Sequence, residues 1–491
     1  MDIPVKFKER MSRLLGEEYD SFLAAYERNA YKGLRLNPLK LGGDPVKEED
    51  LRNILTERFD LKPVPWCRTG FYYDEEFRPG LDPLHQAGAY YIQEPSAMVV
   101  GELANVKPGM KVLDLCAAPG GKTSHLAGAL KGEGLIWANE IVPQRAEILS
   151  RNVERMGIAN AIVSCASPAE LALALPGFFD VIVVDSPCSG EGMFRRDEIA
   201  RTEWSKENVA MCAKRSRDIL ESANLMLKNG GRLIYSTCTF AVEEDEGAIC
   251  DFLDRHPEYS LIEKELVPVS GSDVNTYGFP TDGRPEWCDN RDEVRDTYRL
   301  WPHLLAGEGH FAAVMCKGSD RIFARFEEGE AVAGEDCKKG RKKGARVDNL
   351  TEDAIKAYRE FEKKSMTVSL NGRMELKGDN LYLMTFGEVR TDRIRILRNG
   401  LWLGTVKKNR FEPSHSLAMA LHPDEVGSCI ELRDKGRGAD ADNYLKGETI
   451  GCDSDVTGWV LCTIEGCSLG WGKATGGVVK NHYPKGLRVM G

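Results

Sequence analysis

The chain has 491 residues, 42% of them apolar and 29% charged, and a formal net charge of −10. That length and balance imply several globular domains, and no apolar run approaches the roughly 18 residues that a membrane span needs. The start, Met1-Asp2-Ile3-Pro4-Val5-Lys6, has no apolar signal region, so the expected location is the cytoplasm. Residues 1–100 mix amphipathic helix over 7–15, 19–26 and 48–55 with short extended pieces, which reads as a small α+β accessory domain. From 101 to 318, short apolar strands alternate with helices of ten or more residues. Strands are expected over 111–116, 135–139, 161–164, 179–185, 231–237 and 311–316, and helices over 122–130, 143–156, 206–227 and 243–255. Such alternation gives an α/β fold with a doubly wound, mostly parallel sheet. Residues 319–346 are charged and glycine-punctuated and read as a basic linker. An intermediate α+β domain follows over 347–410, with a helix over 351–364 and strands over 366–370, 381–383, 394–397 and 401–406. Residues 411–491 read as a glycine-rich β module.

The negative total is a weak argument against a nucleic-acid partner, because phosphate binding needs only a local basic surface. Lys338 to Arg346 holds six basic and no acidic residues, 387–411 holds seven basic and two acidic, and 471–491 holds four basic and none acidic. A single run of this kind is ordinarily a solvated loop. Three in one third of the chain point to a basic face.

Four strand ends carry the chemistry. Leu113-Asp114-Leu115 runs into Cys116-Ala117-Ala118-Pro119-Gly120-Gly121-Lys122, a turn where glycine lets backbone approach a ligand and a helix N-terminus follows. The spacing is neither GxGxxG nor that of a P-loop. Glu140 closes the second strand about 20 residues later, the usual place of an acid that binds ribose hydroxyls. Asp185 closes another strand and is followed by Ser186-Pro187-Cys188-Ser189-Gly190. Cys238 follows a fourth, within Ser236-Thr237-Cys238-Thr239. A lone cysteine is usually a small buried hydrophobe, but these two sit at strand ends in turn-like settings at one edge of the sheet. The 14 cysteines form no CxxC pair, so no metal site is expected.

A nucleotide-like loop beside two thiols and an acid meets the needs of methylation at carbon 5 of a pyrimidine. Carbon 5 is a weak nucleophile until a thiolate adds to carbon 6 and makes it enamine-like. An acid must hold or protonate N3 during addition, and a base must later take the carbon 5 proton so that the thiol can leave.

With these motifs the chain resembles the Sun-type family of RNA cytosine carbon-5 methyltransferases, in particular its bacterial RsmF-like members with a C-terminal PUA-like module. The segment Leu113 to Thr123 is similar to the family's cofactor loop, and Asp185 to Gly190 and Thr237-Cys238-Thr239 to its two cysteine motifs. Arg35-Leu36-Asn37, His85 to Ser96, Leu300 to His303 and Gly307 to Phe311 resemble its flanking motifs, and Trp471 to Arg488 its RNA-binding module. The resemblance implies that Cys116, Ala117, Ala118, Pro119, Gly120, Gly121, Lys122, Glu140 and Asp185 bind S-adenosyl-L-methionine. It implies further that Asp185 contacts the base beside the cofactor, Cys238 is the nucleophile, and Cys188 assists release. The swapped roles of the two thiols, as in DNA cytosine methyltransferases, are the alternative. The expected partner is RNA, ribosomal in the first place, with a single-stranded or flipped cytosine. Transfer RNA, or a role as an RNA-binding assembly factor with a weakened site, are the alternatives. Three positions depart from the family pattern. Serine replaces the usual alanine at Ser186 and the common glutamine at Ser216, and Ser164-Cys165-Ala166-Ser167 lacks the usual acid or amide after the third strand.

Overall fold

The computed structural model describes residues 2–318, 349–408, 410–433 and 440–488, and the basic linker expected over 319–346 lies outside them. The catalytic core is built on β1 (Lys111–Asp114), β2 (Leu135–Asn139), β3 (Ala161–Ser164), β4 (Phe179–Asp185), β5 (Leu227–Thr237), β6 (His310–Lys317) and β7 (Ile396–Asn399). Their order across the sheet is β7-β3-β2-β1-β4-β5-β6, continued by Tyr298–Leu300 and Thr281–Asp282. The five strands β3, β2, β1, β4 and β5 are parallel, and both flanks are antiparallel. The doubly wound expectation therefore holds for the centre of the sheet.

Strict alternation along the strands gives the sheet two buried faces. Val112, Ile136, Val181 and Val183 pack against α1 (Gly121–Leu130) and α2 (Pro143–Arg155) through Leu126, Leu130, Leu149 and Val153. Leu113, Trp137, Ile182 and Val184 pack against α3 (Pro168–Ala174), α4 (Lys206–Met226) and α5 (Glu246–Arg255) through Leu171, Leu220, Ala223, Ile249 and Phe252. All parallel strands thus end on one edge, where loops carry the site.

The N-terminal region divides between two partners. Helix Val5–Leu15 buries Phe7, Met11 and Leu15, four residues apart, in a cluster with Phe194, Trp204, Phe240 and Trp301 of the core. The four-stranded antiparallel sheet (Lys62–Pro63, Gly70–Tyr73, Lys32–Leu36, Tyr90–Ile92) shares a core with the C-terminal module, through Leu34, Phe71, Tyr444 and Val460 among others.

The C-terminal third holds two further sheets, one of them covered by helix Asn349–Ser365, whose Tyr358 and Phe361 pack on Leu381, Leu403 and Phe411. Three expectations change here. Residues 366–370 form no strand: Glu362 Oε1 accepts from the Leu370 amide at 2.9 Å, and only Met366 makes a bridge, to Val426. Arg410–Pro413 pairs with Leu401–Lys407, so a boundary at 410/411 cuts a sheet. The strand expected over 394–397 joins the catalytic sheet as β7, against β3. Among the described residues no helix is long and apolar enough to cross a membrane.

Candidate active site

A cleft of about 640 Å³ opens at the carboxyl edge of the sheet, lined by Cys116, Ala118, Glu140, Asp185, Cys188 and Cys238 among others. Of the remaining expected cofactor residues, Ala117, Pro119, Gly120, Gly121 and Lys122 are not part of its wall. The Ala117 side chain is buried and its amide donates to the Asn139 carbonyl at 2.8 Å. The carbonyls of Ala118 and Pro119 accept from Arg145 (2.9 Å) and Asn152 (2.8 Å) of α2, which fixes the course of the loop. Gly120 caps α1 at φ 115°, a conformation that requires glycine.

Arg35 ties the N-terminal sheet to this loop. Its buried guanidinium donates to the Gly121 carbonyl at 3.1 Å and to Ser124 Oγ at 2.7 Å. Burial lowers its pKa to about 10, so it stays charged. Glu140 is buried, accepts from the Val142 amide at 3.0 Å and faces Arg145 at 3.4 Å.

At the other end of the cleft the two thiols meet, with Cys188 Sγ 3.3 Å from Cys238 Sγ. The hydrogen bond to Cys238, reinforced by burial, pushes the Cys188 thiol well above its ordinary value. Either sulfur can donate to the other, and the Cys238 amide donates to Cys188 Sγ at 3.4 Å. Beside them, Asp185 Oδ2 lies 2.8 Å from Lys122 Nζ, and Asp185 Oδ1 accepts from Ser236 Oγ at 2.8 Å. Burial pushes the Asp185 carboxyl up, but the Lys122 charge and these hydrogen bonds outweigh it and hold the carboxyl below its ordinary value. His310 Nε2 stands 3.8 Å from Asp185 Oδ1. Burial and the Lys122 charge lower its pKa to about 3, so it is neutral and Lys122 is the cation that matters. Burial also pushes the Cys116 thiol up, which makes it a neutral wall of the cleft and no nucleophile.

The Cys188 turn is anchored from behind. Glu244 accepts from the Ser189 amide at 2.9 Å and from Ser189 Oγ at 2.5 Å, and Ser189 Oγ meets Thr239 Oγ1 at 2.8 Å, so one bridge joins the two cysteine motifs. Ser186 Oγ and Ser216 Oγ lie 2.6 Å apart, so two of the departures from the family pattern satisfy each other in the core. Sequence reasoning missed the Lys122–Asp185 pair, His310 and Glu244. Lys122 and His310 lay within quoted motifs, but nothing in the sequence aims them at Asp185.

Elsewhere, Cys67, Glu102 and His125 bring three possible metal donors within 4.8 Å of one another. Glu102 is already bound by Arg68 and His125, and the Arg35 charge acts on all three groups, which opposes a cation there.

Family comparison agrees with this geometry. Residues 102–316 match the family model described as 16S rRNA methyltransferase RsmB/F. Residues 3–95, 360–421 and 437–489 match the RsmF N-terminal, first C-terminal and PUA domains. A ribosomal RNA small subunit methyltransferase F from Aeromonas salmonicida is 31% identical over 95% of this chain and 93% of its own length. The chain belongs to the RsmB/F family. It is an S-adenosylmethionine-dependent RNA methyltransferase of the cytosine carbon-5 type. A relative of the same description from Shewanella oneidensis is 29% identical over 95% of this chain and 93% of its own length. Among solved structures, a methyltransferase homologue from Pyrococcus horikoshii is 28% identical and covers 63% of this chain and 93% of its own, with a TM-score of 0.54.

Proposed function

We propose that this RsmB/F member methylates a cytosine of small-subunit ribosomal RNA in the cytoplasm, with Cys238 as nucleophile and Cys188 as the thiol that assists release. The carrying observation is the 3.3 Å contact between Cys188 and Cys238, in the cleft shared with Glu140 and Asp185. The donor set suits the cofactor. Glu140 can accept from ribose hydroxyls, Ile141, Val142 and Ile219 offer apolar walls to a flat base, and Cys116 and Ala118 bring the turn close. When bound, S-adenosylmethionine supplies an electrophilic methyl group on a sulfonium.

The chain's own residues do the rest. Cys238 Sγ adds to carbon 6 of the cytosine, breaking the 5,6 double bond and making carbon 5 nucleophilic. Asp185, ionised beside Lys122, is an acceptor. Addition pushes an electron pair onto N3, which takes a proton from water, and Asp185 accepts the hydrogen bonds of the 4-amino group and of the N3–H so formed. After methylation a water in the open cleft takes the carbon 5 proton, the 5,6 double bond re-forms and the carbon 6–sulfur bond breaks, which leaves Cys238 as a thiolate beside Cys188 Sγ. The target base must stand free of its stack to reach the cleft.

The test is transfer of tritiated methyl to small-subunit RNA. Cys238→Ala should abolish it, and Cys188→Ala should trap a covalent RNA adduct resistant to denaturation. An adduct in Cys238→Ala and none in Cys188→Ala would reverse the two roles. Methylation of transfer RNA alone would overturn the ribosomal assignment.

A further inference from the structure

We propose that Asp218, on α4, accepts the hydrogen bond of the adenine amino group of the cofactor, in place of the acid that the chain lacks after β3. The inference rests on the cofactor reading above and concerns which residue reads the base.

The segment after β3 has its three amides and its serine hydroxyl committed within the protein. The Cys165 amide donates to the Arg395 carbonyl at 2.8 Å, the Ala166 amide to Asn139 Oδ1 at 3.2 Å, and the Ser167 amide to Glu170 Oε2 at 2.8 Å. Ser167 Oγ also binds Glu170, at 2.7 Å. The Asn139 amide nitrogen is committed to the Leu115 and Ala166 carbonyls. Glu140 and Arg145 face each other.

The opposite wall differs. Arg215, Asp218, Ile219 and Ser222 lie three, four and seven residues apart, one face of α4, and all four line the cleft. Ile219 packs in the same core as Leu171 and Ala172 of α3, which fixes that face toward the loop opening with Pro168. Ser222 Oγ is spent on the Asp218 carbonyl at 3.1 Å. Among the described residues neither Asp218 nor Arg215 takes part in an ion pair. Across the gap Ile141 is 58% exposed and Val142 38% exposed, apolar side chains that a flat base would cover. Adenine presents an N–H donor at N6, and a carboxylate is an acceptor only. Asp218 therefore matches adenine and makes no hydrogen bond with a carbonyl at that position.

The experiment is calorimetric titration of the full chain with S-adenosylhomocysteine and with S-inosylhomocysteine, whose carbon 6 carries oxygen. Wild type should prefer the adenosyl ligand by about tenfold or more, the value of a hydrogen bond to a charged group. Asp218→Ala should weaken the adenosyl ligand by about tenfold and leave the inosyl ligand nearly unchanged, while Arg215→Ala keeps the preference. Equal losses for both ligands, or an unaltered preference in Asp218→Ala, would overturn the assignment. A wild-type chain that binds neither ligand would instead refute the cofactor reading itself.

Discussion

Lys122→Met removes the cation that keeps Asp185 ionised. Lys122 Nζ lies 2.8 Å from Asp185 Oδ2, with side chains 10% and 33% exposed. Stripping one partner from a fully buried pair costs about 3–5 kcal/mol, because the other charge is left behind. A third of the Asp185 side chain meets water, which reduces the figure to about 2 kcal/mol. Burial then acts on Asp185 without its main opponent, the Ser236 hydrogen bond being left, and its carboxyl rises. At about 1.4 kcal/mol per pH unit, the acid limb of the rate moves up by about 1.5 pH units. The sign for stability is fixed by linkage. The pair's contribution is present above the ordinary carboxylate value and is lost as pH falls through the lowered folded value. The variant's deficit should therefore be full at neutral pH and shrink on acidification. Single-turnover methyl transfer from about pH 8 to about pH 4.5 should show the displaced limb, and denaturation midpoints at both ends should show the shrinking deficit. Rate profiles that stay parallel, or a deficit as large in acid as at neutrality, would refute the role given to Lys122.

Arg35→Met takes the donor from Ser124 Oγ and one of two from the Gly121 carbonyl, which keeps Ser124 Oγ at 3.0 Å. At about 1–3 kcal/mol for the buried acceptor left without a donor, cofactor affinity measured by calorimetry should fall by about tenfold. Arg299→Met strands two buried carboxylates, Asp245 (2.7 Å) and Glu246, and should cost about 3–5 kcal/mol, read as a lowered melting temperature or loss of soluble protein. Burial pushes the Glu244 carboxyl to about 8, so the native state holds a proton that the unfolded chain releases near the ordinary carboxylate value. Stability should decline as pH rises from about 5 to about 8, and Glu244→Gln should flatten that decline in thermal melts across the range.

The catalytic strands were legible because each is a short apolar run bounded by turn residues. The ranges expected for β2, β3 and β4 are those observed. The cysteine and glycine turns were legible because they follow those runs directly. Partner choice across the chain was not. Met366–Leu370 has a strand-like pattern, yet Glu362 captures the Leu370 amide, a local side-chain bond that no apolar periodicity registers. Helix Val5–Leu15 shows its apolar stripe in sequence, but the stripe does not say that Phe194 and Trp301 receive it. Lys122 was read as a helix start and a cofactor residue, while its pairing with Asp185 depends on the sheet order that sets β4 beside β1.

The pairing of β7 with β3 has a consequence for the cofactor end of the cleft. Ile396 stands opposite Ser164, and Arg395 accepts the Cys165 amide that follows β3. Arg398 reaches Glu154 of α2 at 2.6 Å and Ser416 Oγ at 2.8 Å, which pins the added strand to the catalytic helix layer. Without that strand β3 would be an edge, with a row of open backbone groups next to the base-binding wall. The segment beyond residue 349 thus builds part of the catalytic sheet. Arg398→Met should loosen the seam without touching either ligand. Hydrogen exchange should quicken over 161–166, and S-adenosylhomocysteine affinity should fall about threefold to tenfold as the wall loses its order. Faster exchange confined to β7 with unchanged affinity would show that β3 holds its own position, and that the strand from the C-terminal module merely leans on it.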